Sequence, residues 1–376
     1  MRRVQKDQVR KHGPKGETEV MATAKPVLFS GNSNRALAVE IAQKLGSKDV
    51  GKALVTTFAN DECRIEIHEN VRGADAFVIQ SICKSQDGER GVNDSLMEML
   101  LMIDALRRAS AYRITAVIPY YGYAKQDKKT KGREPISAKL LANLLVAAGA
   151  DRIVTVDLHA AQIQGFFDEP VDNLTASYIL RNYIINTKKL RGPGIVVVSP
   201  DAGGFARAEA FAKKLDASVA VVFKRRPRPD VNEVSEVVGD LAGKTAIIVD
   251  DMISTGGTLV KAAEAVLERG ATSVITCATH GIFADNAAKK LVESKISEVV
   301  VTNTIPVPES IRDTKIKVLS VASLLADAIR RIGQNRSISE LYEEQDREQP
   351  SGERLGSTLF DAESVEQMAE PVGRSS

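Results

Sequence analysis

Two carboxylates followed by a threonine- and glycine-bearing turn mark the segment TAIIVDDMISTGGTL, residues 245–259. An apolar, strand-like run ends at Asp250 and Asp251, and Ser254, Thr255, Gly256, Gly257 and Thr258 lead into a helical pattern. Such a loop offers backbone N–H groups and hydroxyls at a helix N-terminus, where the positive end of the dipole favours a phosphate. A carboxylate one short turn earlier is able to accept hydrogen bonds from vicinal sugar hydroxyls, so the segment reads as a site for ribose 5-phosphate rather than for phosphate alone. The plain alternative is a helix cap after a buried strand. Just upstream, GDLAGKT (239–245) falls one residue short of the nucleoside triphosphate loop GxxxxGK[ST] and precedes its strand where that loop must follow one. A triphosphate has to bind elsewhere.

Other candidate groups also stand at the ends of strand-like runs. FKRRPRPD (223–230) packs Lys224, Arg225, Arg226 and Arg228 together. Such runs are ordinarily solvated charge or a localisation signal, but cations at a strand end beside a sugar-phosphate loop can be aimed at a transferring phosphoryl group. VDLHAAQIQGFFD (156–168) places Asp157 and His159 at another strand end, where a metal or phosphate contact competes with a structural histidine. SPDAGG (199–204) supplies Asp201, either a helix cap or an oxygen ligand for Mg²⁺. YYGYAKQDKKTKGREP (120–135) is a long, lysine-rich connection suited to a flap over a nucleotide, or simply a solvated loop.

These residues need a scaffold, and the chain alternates β-branched runs with helical patterns, as in a parallel sheet covered by helices on both faces. Strands are predicted at 27–29, 76–79, 114–118, 153–156, 195–198, 219–223, 246–249, 274–277 and 299–301. Helical spacing recurs at Ile136, Leu140, Leu141, Leu144 and Leu145 before Gly149, and at Leu259, Ala262, Ala263, Val266 and Leu267 before Gly270. The fold class is α/β. Three internal echoes point to a duplicated unit: 29–45 with 198–215, TAVIP (115–119) with TAIIV (245–249), and 149–159 with 270–280.

With 376 residues, the length suits two domains. Composition marks a disordered arm at 1–25 and a disordered tail at 345–376. Charge is balanced, with 51 basic and 49 acidic residues, so no global field draws nucleic acid or an acidic membrane. Cys63, Cys83 and Cys277 are odd in number and far apart, which suits reduced thiols in a cytoplasm. No run approaches a membrane span, and the polar first residues have no signal-peptide core. A second methionine, Met21, precedes the first strand. The basic arm leaves an organelle presequence as an alternative, against which Asp7, Glu17 and Glu19 count.

Taken together, FANDE, ENVRG, NDSLMEML, RRASAYRITAVIPY, YAKQD, PISAKLLANLL, DLHAAQIQGFFD, PVDNL, VVSPDAGG, KRRPR, VDDMISTGGT and SISELY resemble the ribose-phosphate pyrophosphokinases, in that family's order, from about Pro26 to Tyr342. The resemblance implies two tandem type I phosphoribosyltransferase-like domains, a first at 26–171 with 328–342 packing back on it and a second at 172–327, of which only the second keeps the sugar-phosphate loop. It implies transfer of the β,γ-pyrophosphate of ATP to the C1 hydroxyl of ribose 5-phosphate, with a product that feeds purine, pyrimidine, histidine and NAD synthesis. Carried over by position, ATP contacts fall on Phe58, Asn60, Asp61, Glu62, Lys125 and Gln126, and Mg²⁺ ligands on His159 and Asp201. The catalytic lysine falls on Lys224, with Arg226 beside it, and ribose 5-phosphate contacts on Arg226, Asp250, Ser254, Thr255, Gly256, Gly257 and Thr258. Hexamers built from dimers, with phosphate and ADP as effectors at a subunit boundary, are further expectations.

The chain departs from the family where members often have Asp-Gly at Asn60-Asp61, Arg at Lys125 and Asp at Ser254. Lysine lacks the planar guanidinium that stacks on adenine, which bears on nucleotide affinity. Two rivals stand beside this reading. A non-catalytic regulatory homologue predicts damage at Lys224, Arg226 or 250–258, and all are present. A phosphoribosyltransferase leaves the FANDE and YAKQD segments unexplained.

Overall fold

A computed structural model of the chain describes residues 26–85, 87–225, 234–311 and 314–341. Both arms expected to be disordered lie outside these residues. The first half runs β1 (Val27–Ser30), α1 (Arg35–Lys44), β2 (Ala53–Thr57), β3 (Cys63–Ile67), β4 (Asp75–Ile79), α2 (Val92–Arg108), β5 (Arg113–Ile118), α3 (Ser137–Ala148), β6 (Arg152–Val156) and β7 (Val171–Leu174). Then follow α4 (Ser177–Asn182), β8 (Ile195–Ser199), α5 (Phe205–Leu215), β9 (Ser218–Arg225), β10 (Val234–Val238), β11 (Thr245–Ile253), α6 (Gly257–Glu268), β12 (Ser273–Gly281), α7 (Ala287–Glu293), β13 (Glu298–Thr302), β14 (Ile316–Leu319) and α8 (Ala322–Gly333).

Two sheets result, each mainly parallel and flanked by helices. The first has the order β1-β4-β5-β6-β7 and the second β10-β9-β8-β11-β12-β13-β14. In the second, β10 alone runs antiparallel to its neighbour. Every residue of β4 and of β8 is buried, as expected of strands covered on both faces. The pleat divides each strand between two cores. Phe77 and Ile79 of β4 pack with Leu37 and Ile41 of α1, whereas Ala76 and Val78 pack with Met99, Met102 and Leu141 of α2 and α3. In the second sheet Val196 and Ile248 meet Leu259 and Val266 of α6, and Val197 and Ile247 meet Phe211 of α5.

All nine predicted strands are present. The hairpin β2-β3, β7, β10 and β14 were not foreseen, because they are short, half-exposed or polar, as in VDNL of β7. Both predicted helices form, but Leu140 and Leu144 of α3 are exposed to 58% and 38%; the buried face uses Ala138, Leu141, Ala142 and Leu145.

The chain crosses back at its end. Val321, Leu325 and Ile329 of the α8 segment join the core of the first sheet with Leu37 and Ile41, and Arg330 donates to the Lys44 carbonyl at 3.1 Å. A division at 171/172 and 327/328 therefore passes inside β7, which pairs with β6, and inside α8.

Sheet order identifies β1, β4, β5, β6 and β7 with β8, β11, β12, β13 and β14, the hairpin β2-β3 standing in sequence where β9-β10 stands. The echo of 29–45 in 198–215 falls on equivalent elements. The other two echoes do not: TAVIP is in β5 and TAIIV in β11, and 149–159 enters β6 while 270–280 enters β12, each displaced by one strand. Their likeness has a local cause. Gly149 and Gly270 both follow a helix end with positive φ (123° and 95°), and each leads into a buried parallel strand, so similar environments select similar sequences.

Candidate active site

Strand ends of both halves converge on one cleft of about 650 Å³, lined by Lys125, Asp127, His159, Asp201, Arg207 and the segment Asp250–Gly256, among others. In parallel α/β sheets the carboxyl ends of strands are where ligands bind.

Asp250 and Asp251 extend β11 past its last core residues, and the chain turns at Gly256, whose φ of +73° suits glycine, into α6. Among the described residues no side chain bonds the cap of α6, and its N-terminus, whose dipole favours an anion, faces the cleft. Ser254, Thr255, Gly256 and Thr258 line the cleft, and Gly257 opens the helix. At the end of β8, Ser199 Oγ donates to the Asp201 carbonyl at 2.6 Å and Gly204 N donates to Asp201 Oδ1 at 3.0 Å. The Asp201 carboxylate thus holds the turn that leads into α5 while it lines the cleft.

One contact joins the two halves at the centre. His159 Nδ1, from beyond β6, lies 2.7 Å from Asp251 Oδ2, and Arg207 Nη1 from the first turn of α5 lies 3.2 Å from Asp250 Oδ1 and 3.3 Å from Asp251 Oδ1. Burial and the neighbouring Asp251 charge push the Asp250 carboxyl up to about 7. Asp251 goes the other way: burial alone would raise it, but hydrogen bonds from His159 and Asp250 and the Arg207 charge hold it well below the usual carboxylate range. The two adjacent acids are thus driven apart, Asp250 keeping its proton to higher pH than Asp251. The hydrogen bond to Asp251 raises the His159 imidazole.

The 120–135 connection contributes Lys125, Asp127 and Lys128 to the cleft. Asp127 is buried and accepts from Gln162 Nε2 at 2.6 Å, which ties this connection to the turn after β6. Gln126 is adjacent but does not line the cleft; its side chain bonds Ser137 Oγ and its carbonyl accepts from Ala138 N at 3.2 Å. Phe58, Asn60, Asp61 and Glu62 do not line it either. They form the tip of the β2-β3 hairpin, closed by Phe58 N to Glu62 O at 2.8 Å, with the Arg64 guanidinium 5.5 Å from the centre of the exposed Phe58 ring. Lys224 belongs to β9, in register with Ser235 of β10. Its side chain and the whole of Arg226 lie outside the described residues.

Sequence reasoning assigned no role to Asp251, Arg207, Asp127 or Gln162. Arg207 carried a usable signal, since it stands six residues after Asp201 in the first turn of the helix that SPDAGG begins. The pairing of His159 with Asp251 spans 92 positions and left no trace in local pattern.

Comparison with known proteins accounts for both halves. Residues 26–149 match the N-terminal domain of ribose phosphate pyrophosphokinase, and residues 224–343 match the phosphoribosyl synthetase-associated domain. A ribose-phosphate pyrophosphokinase of Caldanaerobacter subterraneus subsp. tengcongensis is 54% identical over 315 residues, which cover 84% of this chain and 97% of that protein. One from Haemophilus influenzae is 51% identical over 84% of this chain and 98% of its own length. The crystal structure of phosphoribosylpyrophosphate synthetase from Mycobacterium smegmatis superposes with a TM-score of 0.76 at 47% identity, covering 83% of this chain and 99% of that one. Matched in both halves and along nearly the full length of these relatives, the chain belongs to the ribose-phosphate pyrophosphokinase family.

Proposed function

We propose that the cleft transfers the β,γ-pyrophosphoryl group of MgATP to the C1 hydroxyl of ribose 5-phosphate, releasing AMP. The observation that carries this reading is the joint lining of the cleft: the second half brings the Asp250–Gly256 segment to the N-terminus of α6, and His159 of the first half meets Asp251 there. The N–H groups and hydroxyls at 254–258 hold the sugar phosphate, and Asp250 accepts from ribose hydroxyls. With sugar and triphosphate held side by side, the anomeric hydroxyl attacks the β-phosphorus in line, while Lys224 and Arg226 stabilise charge on the transferred group and on departing AMP.

Among the described residues no three His, Cys, Asp or Glu side chains form a self-sufficient metal site. Asp201 and His159, which both line the cleft, are a small ligand set of the kind that suits Mg²⁺, whose shell is completed by water and substrate phosphates. Asp201 and the Nε2 of His159, whose Nδ1 is engaged by Asp251, are the groups proposed to hold it. When bound, it would neutralise triphosphate oxygens.

A homo-oligomer, in this family's pattern a hexamer, is supported by Phe58–Glu62 standing off the cleft of their own chain and by exposed Met97, Leu140 and Leu144. Phosphate and ADP are proposed as its effectors on the family resemblance alone. A cytoplasmic location fits the free thiols of Cys63, Cys83 and Cys277; among the described residues no helix is long and apolar enough to cross a membrane.

The test is chromatographic measurement of AMP from the purified chain. Formation should require both ATP and ribose 5-phosphate, stop with EDTA and resume with Mg²⁺. AMP without ribose 5-phosphate, or none under any condition, would overturn the assignment.

A further inference from the structure

The segment that carries His159 leaves β6 through Asp157, whose φ of +42° is in the left-handed region that a side-chain-bearing residue enters at a cost. Five hydrogen bonds hold that turn. Three come from the first half: Asp157 N to Leu174 O at 2.8 Å, Leu158 N to Asn173 Oδ1 at 3.1 Å, and Ala176 N to Asp157 Oδ2 at 2.9 Å. Two come from the end of β12 in the second sheet: Thr279 Oγ1 donates to Asp157 Oδ2 at 2.6 Å, and His280 Nε2 lies 3.1 Å from the Asp157 carbonyl.

His280 is 2% exposed, with the Tyr120 ring edge-on at 5.0 Å. Its tautomer follows from its partners. A carbonyl can only accept, so Nε2 carries the proton. Nδ1 is then an acceptor, 2.9 Å from Thr304 Oγ1. The Thr304 hydroxyl lies 2.9 Å from that nitrogen and 3.1 Å from the Thr279 carbonyl, which already accepts from Thr302 Oγ1 at 2.7 Å, so the ring is the shorter and less occupied of its two acceptors. Burial depresses the imidazole below its ordinary value and keeps it neutral. The Thr304 carbonyl in turn accepts Ser81 Oγ of the first half at 2.6 Å, so the ring sits in a buried polar seam between the halves.

We propose that His280 is a positioning residue for the reaction: from the second sheet it pins the backbone turn at Asp157, and so sets His159 against Asp251 and the triphosphate. Asp251 holds the ring of His159, and His280 with Thr279 holds the chain that delivers it. The half that binds ribose 5-phosphate thereby shapes the triphosphate side of the cleft. This rests on the reading of His159 given above, and the experiment separates the two.

In the full chain, His280→Phe keeps an aromatic ring beside Tyr120 and removes both ring hydrogen bonds; His280→Gln can still donate to the Asp157 carbonyl and accept from Thr304. Hydrogen exchange followed by mass spectrometry should show peptides spanning 157–160 and Ala176 exchanging faster in His280→Phe, with β8 and the centre of β11 unchanged. Calorimetric affinity for MgATP should fall on the order of tenfold, the usual scale for losing a group that orients a ligand, and His280→Gln should recover most of it. The KM for ribose 5-phosphate should move less. Adding His159→Ala to His280→Phe should cost little further affinity. Unchanged exchange at 157–160, or a His159→Ala penalty equal in both backgrounds, overturns the pin. Should His159→Ala alone leave MgATP binding intact, the reading of His159 fails instead, and the exchange result by itself upholds or overturns the pin. Should His280→Phe not fold, Thr279→Val, which removes the donor to Asp157 Oδ2, takes its place with the same expected exchange.

Discussion

The loop after β11 and the loop after β4 occupy the same place in the two sheets, yet one is open and the other is filled. Val198 pairs with Ile248 as Phe29 pairs with Val78, so Asp250 corresponds to Gln80 and Asp201 to Asn32. In the second half two carboxylates face a cleft. In the first half the two amides turn inward on a carboxylate of the protein itself, Glu98 of α2, which is fully buried. Asn32 Nδ2 donates to Glu98 Oε1 at 2.7 Å and Asn32 N to Oε2 at 3.0 Å; Gln80 Nε2 donates to Oε2 at 2.7 Å, and Arg90 Nε lies 3.1 Å from Oε1. An internal anion thus binds the two amides that stand where the other half has Asp201 and Asp250. One scaffold position serves binding when its acids face a cleft, and structure when amides close it over a built-in charge.

The largest expected effect breaks the filled side. Glu98→Leu leaves Arg90, Asn32 and Gln80 without their common acceptor, and removing one member of a buried pair typically costs about 3–5 kcal/mol. Chemical denaturation should register that loss. A midpoint within error of the parent would mean that the network holds nothing together.

On the open side the loss should appear in turnover rather than stability. Lys224→Ala should lower kcat by ~10²–10³, the cost of one preorganised electrostatic contact, with KM values little changed. Arg226→Ala should also raise the KM for ribose 5-phosphate, since ground-state binding is lost with it. Near-parental kinetics in both variants, with folding confirmed by circular dichroism, would return these residues to solvated charge.

A smaller effect separates the two halves by pH. With Asp250 raised to about 7, the folded chain holds a proton that the unfolded chain has released, so stability should fall as pH rises from about 4 to about 7 and level off above. Asp251 is lowered, and its contribution is gained as pH rises through the acidic range, below that window. His159 is raised, which adds a loss of the same sign as Asp250 from about pH 6.5 upward. Asp250→Asn should flatten the slope between pH 4 and 6 in denaturation of the ligand-free chain. The same slope in parent and variant would remove Asp250 as its source.

How much of this was legible beforehand follows from how local each signal is. Strands buried on both faces announce themselves as β-branched runs, and the turn at 254–258 is written in consecutive residues, so the segment of the second half that lines the cleft was readable as one unit. Glu98 was not: it sits on a helix among Met97 and Met99, 66 positions from Asn32, and only the folded sheet brings them together. His280 ended an echo that matched it to His159, but the sheets place those histidines one strand apart, and they meet the same turn from opposite sides. The packing of α8 against α1 on the first sheet likewise joins residues far apart in the chain, such as Arg330 and Lys44, 286 positions from each other.

The smallest expected effect concerns the hairpin that stands apart from both sheets. Asp61 at its tip has a φ of +66°, Asp61 N donates to Phe58 O at 3.0 Å, and Glu62 N lies 3.4 Å from Asn60 Oδ1. Here members of the family often carry Asp-Gly, and the structure gives the physical reason: the second tip position is left-handed, which glycine adopts freely and aspartate only at some cost. Asp61→Gly relieves that strain but also frees the unfolded chain, so the two terms partly cancel and the net gain should be no more than about 0.5 kcal/mol. The informative measurement is kinetic. If the tip contacts ATP through backbone and Phe58 alone, Asp61→Gly should leave the KM for ATP within about twofold of the parent, because a carboxylate near a triphosphate adds no attraction. A several-fold rise in that KM, with melting unchanged, would show that the Asp61 side chain itself takes part in nucleotide recognition and that the Asn60-Asp61 departure is a change of contact rather than of turn chemistry.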